Sequence, residues 1–344
     1  MPDFTPCDQP ANGHFIAYSD EFCEVVGSDP QFYTVIETDA HEGPVYVEAE
    51  NALYFTTLPA SSNIPVANAK QVAIRKISLA CDSFPLAPQA VTTVRAASNM
   101  ANGMTLDSDG RLVICEQGTR TTQARISRLD IRTGAVERLV DEWRGLRFNS
   151  PNDVVVKSDG TVWFTDPSYG ALQGFKDAPL VGDYVYRHDP ATQQTSVVAD
   201  SFNKPNGLAF SPDESILYIN DSGAIQGPGS YFANLPHHIR AFDVRGGRQL
   251  ENGRLFAVVS PGIPDGLKVD TCERVYSSSA SGVQVFSRDS ALLGEIIAPG
   301  VANFSFGGPE NNVLYMMADT RIWAARIAAV GATRPPFTRQ AAQP

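Results

Sequence analysis

Nowhere in the 344 residues does an apolar run approach the roughly 18 residues that a membrane-spanning helix needs. The opening Met1-Pro2-Asp3 is not the basic and then apolar start of a secretory leader, so a soluble chain is expected and a cytoplasmic location favoured. Paired C-x-x-C spacing is missing too. The five cysteines, Cys7, Cys23, Cys81, Cys115 and Cys272, are scattered and odd in number, which argues against a zinc knuckle. Free thiols in a reducing compartment are the first expectation, with one Cys7–Cys23 bridge as the alternative. Positive charge is scarce: 27 Lys and Arg face 38 Asp and Glu, a net charge of -11 with a pI near 4.9. Such a chain repels the phosphates of nucleic acid and the anionic face of a membrane, so neither is expected as a partner, whereas a bound cation suits it. There is no Gly-x-Ser-x-Gly elbow and no glycine-rich phosphate loop, which disfavours serine-based acyl transfer and nucleotide binding. No segment keeps a helical apolar period over three turns.

What remains is rich in β-branched and aromatic residues and punctuated by 27 Gly and 24 Pro, the composition of an all-β chain. One motif returns five times: Glu42-Gly43-Pro44, Asn102-Gly103, Pro151-Asn152-Asp153, Pro205-Asn206-Gly207 and Pro264-Asp265-Gly266. Each precedes two apolar runs separated by a turn, a β-hairpin pattern. These inner hairpins run from 45 to 57, 104 to 116, 154 to 166, 208 to 221 and 267 to 278, and a sixth runs from 306 to 317. Outer strand pairs follow the first five at a period of roughly 50 residues, which suggests a propeller. The sixth unit has only one clear outer strand, Arg321 to Ile327, while Phe32 to Glu37 is left over at the start. Pairing the two removes exposed edges. The expectation is a six-bladed β-propeller over residues 31–330, closed by its N-terminal strand. Residues 1–30 would form an arm or cap over one end, and residues 331–344 a polar tail.

From the oxygen-bearing residue to the following turn the spacing is nearly constant. Asn102 to Asp109, Asn152 to Asp159, Asn206 to Asp213 and Asp265 to Cys272 are seven residues each, and Glu42 to Glu50 is eight. With a side-chain period of two, equal spacing puts these residues at one height and orientation in their units, and in a ring they converge. Glu42, Asn152, Asn206 and Asp265 then offer two carboxylates and two amide oxygens, a donor set for one hard divalent cation such as Ca²⁺. No His or Cys holds these register positions, which disfavours zinc. Asn303, seven residues before Glu310, joins the same register. Asn and Asp are also common turn formers, and the motif can be read that way. Two sequons, Asn220-Asp221-Ser222 and Asn303-Phe304-Ser305, lie beside apolar strand patterns. Three long insertions, Leu58 to Lys70, Ser168 to Asp183 and Ser222 to His238, are candidates for the walls and lid of a binding site.

The stretches around Glu42-Gly43-Pro44-Val45, Ser150-Pro151-Asn152-Asp153, Lys204-Pro205-Asn206-Gly207 and Pro264-Asp265-Gly266 resemble the SMP-30/gluconolactonase family of calcium-dependent six-bladed propellers. Trp163 to Gly170, and Asn102 to Asp107 leading to Cys115 to Arg120, resemble its gluconolactonase and fungal lactonohydrolase branch. The likeness runs from about residue 40 to 327. It implies a divalent metal, usually calcium, on Glu42, Asn152, Asn206 and Asp265, and hydrolysis of a sugar or hydroxy-acid lactone as the small-molecule substrate. It also implies that Asn102 holds substrate or an ion-bound water.

Chemically, a cation that polarises a lactone carbonyl pairs with a carboxylate that accepts a proton from water, and Asp265 is the choice for that base. A pure ligand or a nucleophile are its other roles. Glu116 and Arg120 are candidate contacts to substrate hydroxyls, or else a structural ion pair. Tyr169 lines the mouth or fills a loop core, and His41 orients Glu42 or shuttles a proton. His237 and His238 read as structural, and His14 and His188 as surface residues. Two rivals share the scaffold: a non-hydrolytic biosynthetic enzyme, suited to the aromatic Phe175, Tyr231 and Phe232 of the insertions, and a metal-stabilised binding propeller without turnover.

Overall fold

The computed structural model describes residues 13–61, 70–80 and 84–332. Six antiparallel sheets succeed one another along the chain, so the structure is the six-bladed β-propeller expected. The first blade comprises Glu42–Val47, Ala52–Thr56, Ile74–Ser78 and Val91–Arg95. The second comprises Ala101–Leu106, Leu112–Glu116, Arg125–Leu129 and Val136–Val140. The third is Val154–Val156, Val162–Asp166, Tyr184–Asp189 and Gln194–Ala199, and the fourth Pro205–Phe210, Ile216–Asp221, His238–Arg245 and Gln249–Val258. The fifth is Leu267–Val269, Val275–Ser278, Gly282–Phe286 and Leu292–Ile297. The first strands of successive blades touch one another around a closed ring, the sixth against the first.

The sixth blade is built from both ends of the fold. Asn303–Gly307, Val313–Met317 and Asp319–Arg326 are completed by the N-terminal strand Gln31–Ala40, paired antiparallel from Gln31↔Arg326 to Ala40↔Asp319. The strand is longer than the Phe32 to Glu37 expected, and buries Val35, Ile36 and Ala40.

Six apolar clusters occupy the six gaps between blades. This explains why the second strand of each unit reads as an unbroken apolar run rather than an alternating one: it is covered on both faces. In Ala52–Thr56, Leu53 and Phe55 pack toward the sixth blade while Ala52 and Tyr54 pack toward the second. In Val162–Asp166, Trp163 faces the fourth blade and Phe164 the second. Each such side chain stabilises the fold by roughly 1.5–3 kcal/mol relative to exposure.

Of the arm or cap expected over residues 1–30, residues 13–30 form an arm on the rim rather than a cover over one end. Phe15–Ala17 adds a fifth strand to the outer edge of the fifth blade, and the short helix Asp20–Val26, of about two turns, inserts Phe22, Val25 and Val26 between the fifth and sixth blades. The arm therefore packs on the rim. So short a helix offers too few apolar repeats to be seen in the sequence. Cys23, within it, is disulfide-bonded, which overturns the expectation of five free thiols. Cys7, proposed as its partner, lies outside the described residues; Cys115 is free and buried, and Cys272 free and exposed. His188 is buried rather than a surface residue, and His14 stacks on Phe32 with ring centroids 3.8 Å apart. Of the expected polar tail, Gly331 bridges to Asp270, and residues 333–344 lie outside the described residues.

Candidate active site

Each motif residue sits at the start of, or immediately before, the first strand of its blade, and the glycine beside it explains the recurrence of the pair. The N–H of Gly103 donates to the carbonyl of Asn152 (2.7 Å), that of Gly207 to Asp265 (2.9 Å) and that of Gly266 to Ala302 (2.8 Å). A β-carbon at Gly43 would collide with the carbonyl of Asn102, one at Gly207 with that of Asp265, and one at Gly266 with the Asn303 side chain. The glycine of one blade is thus the seat for the motif residue of the next, an approach that no larger residue allows. Only Asn152-Asp153 and Asn303-Phe304 lack the glycine.

Glu42, Asn152, Asn206 and Asn303 are buried, and Asp265 and Asn102 partly so. Glu42 Oε2 accepts from Asn303 Nδ2 (2.9 Å) and from the N–H of Gly43 (3.0 Å). Asn206 Nδ2 donates to Ser222 Oγ (3.0 Å) and Tyr169 Oη (3.3 Å), and its side chain hydrogen-bonds Asp265. Asn152 is held by its main chain, donating to the Thr165 carbonyl (2.8 Å). Asn102 accepts on its carbonyl from Thr56 Oγ1 (3.3 Å). Both sequons are consequently shielded: Asn220 is buried with its Nδ2 on the Asp265 carbonyl (2.8 Å), and Asn303 is spent on Glu42.

The electrostatics of this ring are those of acids crowded away from water. Burial and then the Asp265 charge push the Glu42 carboxyl well above its usual value. Asp265 is raised by burial and by Asp153, with His41 opposing. Asp153, next to Asn152, is itself buried and raised by burial, although Lys268 draws it down, and its Oδ2 has no hydrogen-bond partner. Unpaired buried carboxylates of this kind are costly unless a cation compensates them. Among the described residues no three His, Cys, Asp or Glu side chains gather as a metal cluster. A cation here would therefore rest on two carboxylates and two amide oxygens, a donor set that fits a hard dication and not zinc.

Beside the ring lies a cavity of about 350 Å³. Its walls come from the three long insertions: Leu58, Pro59 and Lys70; Tyr169, Leu172 and Gln173; and Ile225, Gly227, Pro228 and Gly229. His41 joins them, one residue from Glu42. His41 Nδ1 lies 2.7 Å from Asp319 Oδ1, a residue of the sixth blade. Burial alone would depress this imidazole, but the Asp319 hydrogen bond, Glu42 and Asp265 lift it to about 9. Tyr169 is buried at the cavity wall, its phenol pushed up by burial and by Asp265.

Two candidate contacts are elsewhere. Glu116 is fully buried and its oxygens are consumed by Arg125 Nε (2.7 Å), Ser127 Oγ (2.6 Å), Arg95 Nη1 (3.0 Å) and Asn99 Nδ2 (3.0 Å), so it has no free acceptor for a substrate. Arg125 is its cross-strand neighbour, a pairing legible from hairpin register. Arg120 is half exposed and pairs with Asp177 (3.4 Å) away from the cavity lining. Phe175, offered as a ligand contact, is a core residue between the first and second blades, and Tyr231 and Phe232 are exposed. Conversely, sequence reasoning missed Asp153 and Asp319. Asp153 adjoins a motif residue and could have been found; Asp319 is 278 residues from His41 and no local pattern marks it.

A closed ring of six blades with crowded acids at its centre and a walled cavity beside them defines a propeller with a candidate reaction centre. The description "SMP-30/Gluconolactonase/LRE-like region" matches residues 40–320. The chain belongs to that family. It is 30% identical to a gluconolactonase of Zymomonas mobilis over 90% of this chain and 82% of the relative. It is 28% identical to the lactonohydrolase oryL of Aspergillus oryzae over 88% of this chain and 72% of that one. Among solved structures, a gluconolactonase from Xanthomonas campestris is 31% identical and superimposes with a TM-score of 0.74, covering 94% of this chain and 97% of its own.

Proposed function

We propose that the protein is a metal-dependent lactonase. The observation that carries this reading is the crowding of three carboxylates, Glu42, Asp153 and Asp265, whose pKa values burial and mutual repulsion raise although His41 and Lys268 partly offset them. The names of its relatives, gluconolactonase and lactonohydrolase, support it. Glu42, Asn152, Asn206 and Asp265 would hold a divalent cation, calcium by the chemistry of the oxygen donors, which when bound supplies Lewis-acid polarisation of a carbonyl.

The chain's own residues supply the rest. Asp265 accepts a proton from water as its oxygen attacks the lactone carbonyl carbon. The ring C–O bond then breaks, and the departing alkoxide takes a proton from the imidazolium of His41, which Asp319 holds by Nδ1. The Asp319 hydrogen bond favours the imidazolium form of His41, the state needed to donate. The proton taken by Asp265 balances the one given by His41, and the product is the hydroxy acid. Tyr169, fixed against Asn206, presents a hydroxyl beside the reacting group. Leu58, Pro59, Leu172, Ile225 and Pro228 exclude water from one side of the cavity and favour a lactone with an apolar substituent. The same apolar walls also suit the second reading, a non-hydrolytic step on a larger apolar ligand.

The test is turnover of aldonolactones, pantoyl lactone and aromatic lactones by purified protein, with calcium and after chelation. Chelator-sensitive ring opening of at least one is expected; no hydrolysis of any would sink the lactonase reading, and chelator-insensitive hydrolysis would remove the cation from it.

A further inference from the structure

Behind the two ring asparagines the same construction occurs twice. Asp166 closes the second strand of the third blade, and its two oxygens each take one main-chain N–H of two consecutive residues: Asn149 on Oδ2 (2.8 Å) and Ser150 on Oδ1 (2.7 Å). Asp221 closes the second strand of the fourth blade and grips Asn203 on Oδ2 (2.9 Å) and Lys204 on Oδ1 (2.9 Å) in the same way. Both aspartates are fully buried. In each case the clamped pair is followed by a proline, which has no N–H, and then by the ring residue, Asn152 or Asn206.

The clamped residues also hold the cavity walls. Ser150 Oγ accepts from the Gly170 N–H (2.7 Å), and Asn149 Nδ2 donates to the Gly182 carbonyl (3.0 Å), both in the insertion that carries Tyr169. Lys204 Nζ pairs with Asp183 (2.7 Å) at the end of that insertion. Asn203 Oδ1 accepts from Gln226 Nε2 (2.7 Å) in the next. One short segment per blade is therefore gripped from below by a carboxylate, sets the height of a ring asparagine, and anchors a wall.

We infer that Asp166 and Asp221 are positioning residues that place Asn152 and Asn206 for the cation and tie the ring to the cavity walls; this rests on the cation reading above. In Asp→Asn variants one oxygen becomes an NH₂ facing a main-chain N–H, so half of each clamp is lost and replaced by a donor–donor contact.

The test is calcium titration of metal-stripped protein by calorimetry, with wild type, Asp166→Asn, Asp221→Asn and, as a control, Asp270→Asn. Asp270 is equally buried but grips the turn of the fifth blade, accepting from Arg274 N (2.9 Å) and Tyr276 Oη (3.0 Å). Asp166→Asn and Asp221→Asn should each weaken calcium binding by about 10–100-fold, the usual effect of removing a partner that orients a ligand. Asp270→Asn should lower the melting temperature with calcium affinity unchanged. Calcium affinity within twofold of wild type in both clamp variants overturns the inference while leaving the cation reading intact. A wild type that binds no calcium takes down that reading and the clamp's role with it. Should neither clamp variant fold, hydrogen exchange of the wild type decides: calcium should slow exchange in peptides spanning 147–152 and 201–206, and unchanged exchange there overturns the inference.

Discussion

In the proposed reaction Asp265 is the residue on which the chemistry turns, and its surroundings suit that role. Burial raises its pKa most, Asp153 and Asp319 add to that, and His41 opposes without cancelling it, so its carboxylate is a stronger base than one in water. Asp265→Asn is expected to lower kcat by about 10²–10⁴-fold, the range for loss of a general base, with the far-UV spectrum unchanged. Steady-state kinetics at saturating lactone measure this, and wild-type turnover would reassign Asp265 to a purely ligating role. The fixed seven-residue spacing made this residue legible, because register is a one-dimensional property. Glu116 illustrates the limit. It has the residue type and place of a substrate contact, but two arginines reached through sheet pairing consume it.

His188 shows a different residue-scale consequence. Burial pushes its imidazole down to about 4, its Nδ1 meets Thr195 Oγ1 at 2.9 Å and its Nε2 has no partner. The folded pKa is below the unfolded one, so the unfolded chain binds more protons between pH 6.5 and 4. Stability is then full above 6.5 and falls by up to about 3 kcal/mol as pH drops through that window. Melting temperatures from pH 4 to 7 should decline less steeply for His188→Gln than for wild type. Parallel curves would mean that His188 titrates freely in the native state.

At the scale of elements, the six hairpins were visible because their second strands are buried on both faces and bounded by turns. The helix Asp20–Val26 and the rim strand Phe15–Ala17 were not, because both are too short to carry a period and owe their existence to apolar surface at the fifth blade. Trp163 sits in the middle of the third blade's second strand, fully buried, with its indole N–H on Thr161 Oγ1 (3.0 Å). Trp163→Ala should cost about 3–5 kcal/mol, since it empties the cluster between the third and fourth blades. Urea denaturation monitored by circular dichroism measures it, and a loss below about 1 kcal/mol would mean that the neighbouring blades close over the gap. The insertions were correctly picked out by length alone, yet which of their residues face the cavity depends on tertiary contacts that length does not encode.

For the whole molecule, the shortage of strands in the last repeat and the surplus at the start were enough to infer closure. Residues 31–40 hold the sixth blade by pairing with Asp319–Arg326, and the same pairing places Asp319 beside His41. Removing residues 1–40 should leave the Asp319–Arg326 edge open, lower the melting temperature by several degrees and promote association, read by calorimetry and size-exclusion chromatography. A truncated protein that stays monomeric with an unchanged melting temperature would show that the closing strand contributes little.

The glycine seats between blades have an arch-like consequence. The first, second, fourth and fifth blades each bear on the next at the main chain of a glycine, so at those four seams the span of the opening belongs to no single blade. A methyl group at position 207 finds no local slack, because the Asp265 carbonyl stands against it. The displacement falls on the main chain of Asp265, one of the oxygen-bearing residues of the ring. At the seams of Gly43 and Gly207 the bore is thus gauged by backbone, and the side chains that project there can change their chemistry without changing its width.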